Sequence, residues 1–150
     1  MENITWSCKP FKDLTNEELY EIFHLRIEVF VIEQNCPYQD ADGKDLKSFH
    51  VQGKQNGKLI AYTRIVPPGV SYMEPSIGRV ITSKEARGTG AGKILMTKSI
   101  EYLKKEFGNT PIRIGAQAYL QKFYEGFGFV KEGDGYLEDG IPHFIMLLTP

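Results

Sequence analysis

Apolar and polar positions along this chain follow two periods, and the switches between them mark the elements. Trp6 to Phe11 reads as a short first strand. Leu14 to Leu19 carries a helix start, with Thr15 as N-cap and Glu18 as its capping-box partner. Leu14 and Leu19 occupy the two positions of a hydrophobic staple. Leu19, Ile22, Phe23, Ile27 and Phe30 recur at helical spacing, so one face is buried and the helix ends near the β-branched run Val29 to Ile32. Phe49 to Gln55 and Lys58 to Val66 flank Asn56-Gly57, whose residues suit the positive φ angles of a type I′ turn, so they form a hairpin. Ile77 to Thr82 is a further strand. An uninterrupted helical pattern runs from about Ala91 to Phe107, with Gly108 just past its end. Pro111 to Gln117 alternates as a strand, and Tyr119 to Phe127 is a short helix. Phe129 to Lys131 and Phe144 to Leu148 read as strands around a turn-rich stretch, Gly133 to Pro142. The order β, α, three strands, α, β, α, β, β predicts a mixed α/β domain with a β-α-β crossover near the C-terminus.

Composition narrows the class. The 150 residues suit one domain, 1–150, with a core that needs no staples. Lys plus Arg is 18 and Asp plus Glu is 19, a net charge of -1. That balance lacks the basic footprint of a nucleic-acid binder. No apolar run reaches the roughly 18 residues of a membrane span, and the first residues carry no targeting pattern. Two cysteines, Cys8 and Cys36, are too few for a disulfide scaffold. The expectation is a cytoplasmic protein without nucleic-acid or membrane partners, and a homodimer if it assembles.

The sharpest chemical feature is Arg87-Gly88-Thr89-Gly90-Ala91-Gly92-Lys93, between a predicted strand and a predicted helix. Glycines let the backbone approach a ligand closely, and the next helix opens with unpaired N–H groups and a partial positive charge. Together they suit a phosphate or diphosphate. The spacing is not that of a P-loop, because only three residues separate Gly88 from Gly92 and Ile94 stands where a magnesium-binding hydroxyl belongs. Nor is it Gly-x-Gly-x-x-Gly.

At this loop the chain resembles the GNAT family of N-acetyltransferases, whose diphosphate motif is matched by Arg87, Gly90 and Gly92. Tyr124, Gly128 and Phe129 resemble the family's Tyr-x-x-x-Gly-Phe signature, and the element order agrees over nearly the whole chain. The segment from Arg26 to Tyr38 is similar to the ElaA-type branch. The resemblance implies a GNAT-like acyl-CoA acyltransferase fold: a central twisted, mostly antiparallel sheet with a splayed parallel strand pair, flanked by helices. The splayed pair would be 77–82 and 112–117. Acetyl-CoA would lie between them as cosubstrate, its pantetheine arm pairing with Val80, Ile81 and Thr82. Backbone amides of Arg87, Gly88, Thr89, Gly90, Ala91, Gly92 and Lys93 would hold the diphosphate. Gln117 stands where the family often has Asn, and is carried over as a cofactor-binding residue.

The implied reaction is direct transfer of an acetyl group to an amine, a small molecule in the simplest reading. Tyr124 matches the family's general acid, a phenol of pKa about 10 that is protonated at neutral pH. The amine must lose a proton to attack. The family often keeps a Glu on the strand before the glycine loop, but 77–82 contains no carboxylate. The base therefore stays open among Glu33, His50 and Asp42, with Glu33, beside the acceptor region, as the first candidate for base or relay. Asp40 to Asp45 has its glycine at the fourth rather than the sixth position, so no EF-hand and no metal site is expected. Two other outcomes keep the same fold: an acyltransferase with another acyl donor or acceptor, and an acyl-CoA-binding module without catalysis.

Overall fold

The computed structural model describes residues 3–150. Its elements are β1 (Ile4–Pro10), α1 (Asn16–Arg26), β2 (Phe49–Gln55), β3 (Lys58–Val66), β4 (Ser76–Thr82), α2 (Ala91–Phe107), β5 (Ile112–Gln117), α3 (Gln121–Glu125), β6 (Val130–Glu138) and β7 (Ile141–Leu148). The order is the predicted one. Two antiparallel sheets result, β1-β2-β3-β4 and β5-β7-β6. Helix α2 packs on both, through Leu95, Met96, Ser99 and Leu103, against Val51, Ile65, Ile77, Ile112, Ile114 and Met146. A second apolar cluster seats Ile22, Leu25 and Val29 on Leu59, Tyr62 and Ile81.

Local sequence explains most boundaries. Thr15 Oγ1 accepts from the Glu18 N–H and Glu18 Oε1 accepts from the Thr15 N–H, a complete capping box. Asn56 and Gly57, at φ 53 and 77, close the β2–β3 hairpin. Helix α2 spans the predicted residues and stops at Gly108, φ 84.

Two segments depart from expectation. Helix α1 does not stop at the β-branched run; it continues as a π-helix, Ile27–Glu33, and the following amides keep the wide i→i−5 pattern, with the Gln34 N–H on Val29 O and the Cys36 N–H on Val31 O. The wider turn shifts the register of the exposed face, and Glu33 and Gln34 are both brought to the cleft between the sheets. The stretch read as turn-rich is instead a strand: β6 runs to Glu138, and the reversal is confined to Asp139-Gly140, at φ 51 and 78. The glycines that suggested turns include Gly133, which sits at a bulge where the register shifts between Glu132 and Tyr136.

The capping box is also wired into the sheet. Glu18 accepts from Lys9 Nζ and Gln52 Nε2. Burial alone would raise its pKa, but the Thr15 N–H, Gln52 and Lys9 together hold it at about 2, against an ordinary 4.5. A carboxylate depressed in the folded state stabilises fully above its unfolded pKa and loses that contribution as pH falls through the folded value. Glu18→Gln is therefore expected to cost about 1–3 kcal/mol at pH 7. The difference from the parent protein should close between about pH 4.5 and about pH 2 in urea melts; a gap that persists unchanged at pH 2 contradicts the assignment.

Candidate active site

β4 is an edge strand of the first sheet and β5 an edge strand of the second. They meet only where both begin: the Arg113 N–H donates to Pro75 O at 3.2 Å, and Arg113 pairs with Glu74. Beyond that point the strands carry no shared ladder. The cavity between them holds about 910 Å³, and Ile77 to Thr82 and Ile114, Gly115 and Gln117 line it. The crossover α2 thus joins two sheets rather than two strands of one sheet.

A bulge sharpens the opening. Tyr62 faces Ile81 and Arg64 faces Gly78, so Arg79 and Val80 together oppose Thr63. Arg79 takes φ 52, a strained value for a residue with a long side chain. Its guanidinium holds it there. Nε lies 2.8 Å from Asp40 Oδ1, and Nη2 donates to Asp40 O at 3.0 Å. Asp40 in turn accepts from buried Arg26 at 2.7 Å, and Asp45 accepts from Arg26 and Arg64. Asp42 accepts from Arg64 at 2.7 Å and 3.0 Å. Burial opposes its charge, but the Arg64 bonds prevail and hold Asp42 at about 2. Three arginines thus neutralise the three aspartates of the 40–45 loop. Among the described residues no group of His, Cys, Asp and Glu could hold a metal ion.

The glycine loop reaches this cavity through Arg87 and Gly92. Gly88 and Gly90 sit at φ 77 and 88, which only glycine adopts freely. Gly90 is the N-cap of α2, and no side chain caps that end. The first-turn amides of α2 therefore have no intrahelical partner. Thr89 Oγ1 donates to Ala86 O, a bond internal to the loop. Arg87 lines the cavity and pairs with Glu33, Nη2 to Oε1 at 2.6 Å. Gly92, on the first turn of α2, also lines the cavity, whereas Gly88, Thr89, Gly90, Ala91 and Lys93 are not among the residues lining it.

Tyr124 also lines the cavity, from α3. It is 5% exposed, edge-on to Phe123 and Phe129. Burial, with the neighbouring Tyr119 adding to it, pushes its phenol well above the ordinary range, so it stays protonated. Gln117, at the end of β5, exchanges two amide hydrogen bonds of 3.3 Å with Gln34. Two of the residues weighed as bases are in other bonds. His50 is buried, with Nε2 donating to Asp45 O and Nδ1 accepting from Tyr62; burial first, with Arg26 and Arg64 nearby, lowers its pKa. Asp42 is in the arginine cluster. Glu33 does line the cavity, with its carboxylate on Arg87.

Sequence reasoning missed the far end of the cavity, where Tyr72, Tyr136, Glu138, Asp139 and His143 converge. The Asp139-Gly140 pair, followed by alternation through Ile141, His143 and Ile145, is the signal that would have found it.

Comparison with known proteins agrees with this geometry. The family described as "Acetyltransferase (GNAT) domain" matches residues 12–150. Protein ElaA of Escherichia coli is 43% identical over 145 residues, covering 95% of each chain. The crystal structure of that protein superposes with a TM-score of 0.91 over 97% of this chain and 99% of that one. An acyl-CoA N-acyltransferase from Pseudomonas aeruginosa is 42% identical and superposes with a TM-score of 0.94, covering 98% of this chain and 100% of that one. An open β4–β5 cleft, an uncapped helix behind a glycine loop and this degree of likeness converge: the chain belongs to the GNAT acetyltransferase family, in its ElaA-type branch, and is an acyltransferase of the acyl-CoA-dependent fold.

Proposed function

We propose that this protein transfers an acetyl group from acetyl-CoA directly to the amine of a small molecule. The observation that carries the reading is the parting of β4 from β5, which leaves the bulged edge at Arg79 and Val80 facing an open cavity that ends at an uncapped helix. An edge strand with free backbone groups accepts an extended ligand as an added strand, and the pantetheine arm has the amides and carbonyls for that. Val80, Ile81 and Thr82 take this part. The amides of 87–93 take the diphosphate, whose charge the α2 dipole favours. Within that loop Thr89 supports the turn, and Lys93 adds charge at the rim.

Tyr124 supplies the proton to the departing thiolate. It lines the cavity, and its raised pKa keeps the O–H intact across the working pH range. Gln117 sits where the cofactor's acyl end and the acceptor meet, anchored by Gln34. Glu33 acts as a relay at this border: its ion pair with Arg87 links the diphosphate loop to the acceptor side.

Two substitutions test separate parts. Gly92 lies inside α2 with only Phe123 within 4 Å of an added Cβ, at 3.9 Å. Gly92→Asp therefore fits, and its carboxylate at a helix N-terminus leaves stability unchanged or slightly raised. It should weaken coenzyme A binding by at least about tenfold, since each 1.4 kcal/mol of repulsion is tenfold; calorimetry checks it, and unchanged affinity contradicts the loop assignment. Tyr124→Phe should lower kcat by at least about 100-fold with coenzyme A affinity within twofold, as expected for loss of one general acid. Thiol-release assays measure this, and full turnover removes the acid role.

A further inference from the structure

The cavity extends past the cofactor strands to a chamber on the face of the second sheet away from α2. On β5, Ile112, Ile114 and Ala116 are buried toward the α2 core, while Gly115 and Gln117 point the other way. On β7, Phe144 and Met146 face that core and His143 takes the opposite face, cross-strand from both Gln117 and Tyr136. Gly115 leaves room here: a Cβ would come within 2.6 Å of the Tyr136 hydroxyl and 3.2 Å of the Tyr72 hydroxyl.

His143 is 6% exposed and lines the cavity. Its Nδ1 is 2.7 Å from Ile141 O. A carbonyl only accepts, so Nδ1 carries the hydrogen and the neutral ring keeps its lone pair on Nε2. Nε2 faces Glu138 Oε2 at 3.7 Å. The Tyr136 ring stacks on the imidazole at 5.6 Å between centroids. This is the geometry of a base whose tautomer is fixed by one partner and whose free nitrogen faces a carboxylate.

The charges around the chamber select its ligand. Asp42 is neutralised by Arg64 and Arg79, and Glu33 by Arg87. Among the described residues, Glu138 and Asp139 are the lining carboxylates with no arginine or lysine in an ion pair. Tyr136 and Tyr72 bring hydroxyls from β6 and the 67–75 loop, Gln117 and Gln34 bring amides from β5 and the π-helix, and Lys44 lines the wall beside the arginine cluster.

We propose that His143 is the catalytic base, and that the chamber of Glu138, His143, Tyr136 and Tyr72 binds the acceptor as a primary alkylammonium. The inference rests on the acyl-CoA reading above. The ammonium gives one proton to His143 Nε2, which passes it to solvent. The freed amine attacks the thioester carbon, a C–N bond forms, and the C–S bond breaks as Tyr124 gives its proton to sulfur. The second proton lost from nitrogen restores the Tyr124 hydroxyl, so an amide, a thiol and one solvent proton result.

The test is thiol release with saturating acetyl-CoA on a panel of primary alkylamines including ethylamine, 1,4-diaminobutane and phenethylamine, with β,β-difluorophenethylamine as a weakly basic counterpart. For phenethylamine at pH 7, His143→Gln should lower kcat/KM by at least about 100-fold. For the difluoro amine, already neutral without a base, the deficit should fall below about tenfold. Glu138→Gln, at an exposed position, should show the same pattern with a smaller loss. Coenzyme A affinity by calorimetry should stay within twofold in both. Equal deficits for the two amines make His143 structural and overturn the proposal. A parent protein that binds coenzyme A but acetylates no amine of the panel overturns the chamber assignment and leaves the cosubstrate reading standing; one that binds no coenzyme A overturns both.

Discussion

Two strands that start together and then part are the constraint on which the rest of this protein depends. β4 and β5 are held at their origin by the Pro75–Arg113 bond and by Glu74, and nothing pairs them afterwards. An unpaired strand edge inside a protein leaves backbone groups that must find partners or cost free energy. Here they border an open cavity, so the partner can be a ligand. Helix α2 bridges the two sheets and keeps them apart, and its own uncapped end adds donors at the same place.

The bulge at Arg79 needs support, and the cluster of Arg26, Arg64 and Arg79 with Asp40, Asp42 and Asp45, buried at Arg26, Arg64, Asp40 and Asp45, gives it. Six charges in one place bring desolvation costs that only good geometry offsets. The bonds of 2.7–3.0 Å among them meet that condition. The cluster fastens the 40–45 loop to β3 and β4, beside the cavity. Its role is to hold the site's frame, and its aspartates have no charge left to offer a substrate.

Features set by near neighbours were legible in the sequence. The capping box at Thr15 and Glu18, the Asn56-Gly57 turn and both ends of α2 depend on residues a few positions apart, and the glycine loop announced its helix entrance. The ElaA-type resemblance supplied the acyltransferase fold and the family. What was not legible depends on distant partners. Gln34 and Gln117 are 83 positions apart, and no local pattern pairs them. The Asp40–Asp45 loop read as a turn because its arginines lie on α1, β3 and β4. β6 reads as a turn from Gly133 onward because its glycines serve a bulge and close packing, with Gly135 under Phe144. His143 was lost with it, as its strand was read to begin only at Phe144.

Hydrogen exchange followed by mass spectrometry, with and without saturating coenzyme A, reads the backbone amides of the β4 edge and the α2 entrance themselves. Slowed exchange is expected in two stretches, 80–82 on the β4 edge and 88–93 at the start of α2, with the outer strand β1 unchanged. Saturation with ligand that leaves both stretches exchanging as before, or that protects a different face of the molecule, would contradict that expectation.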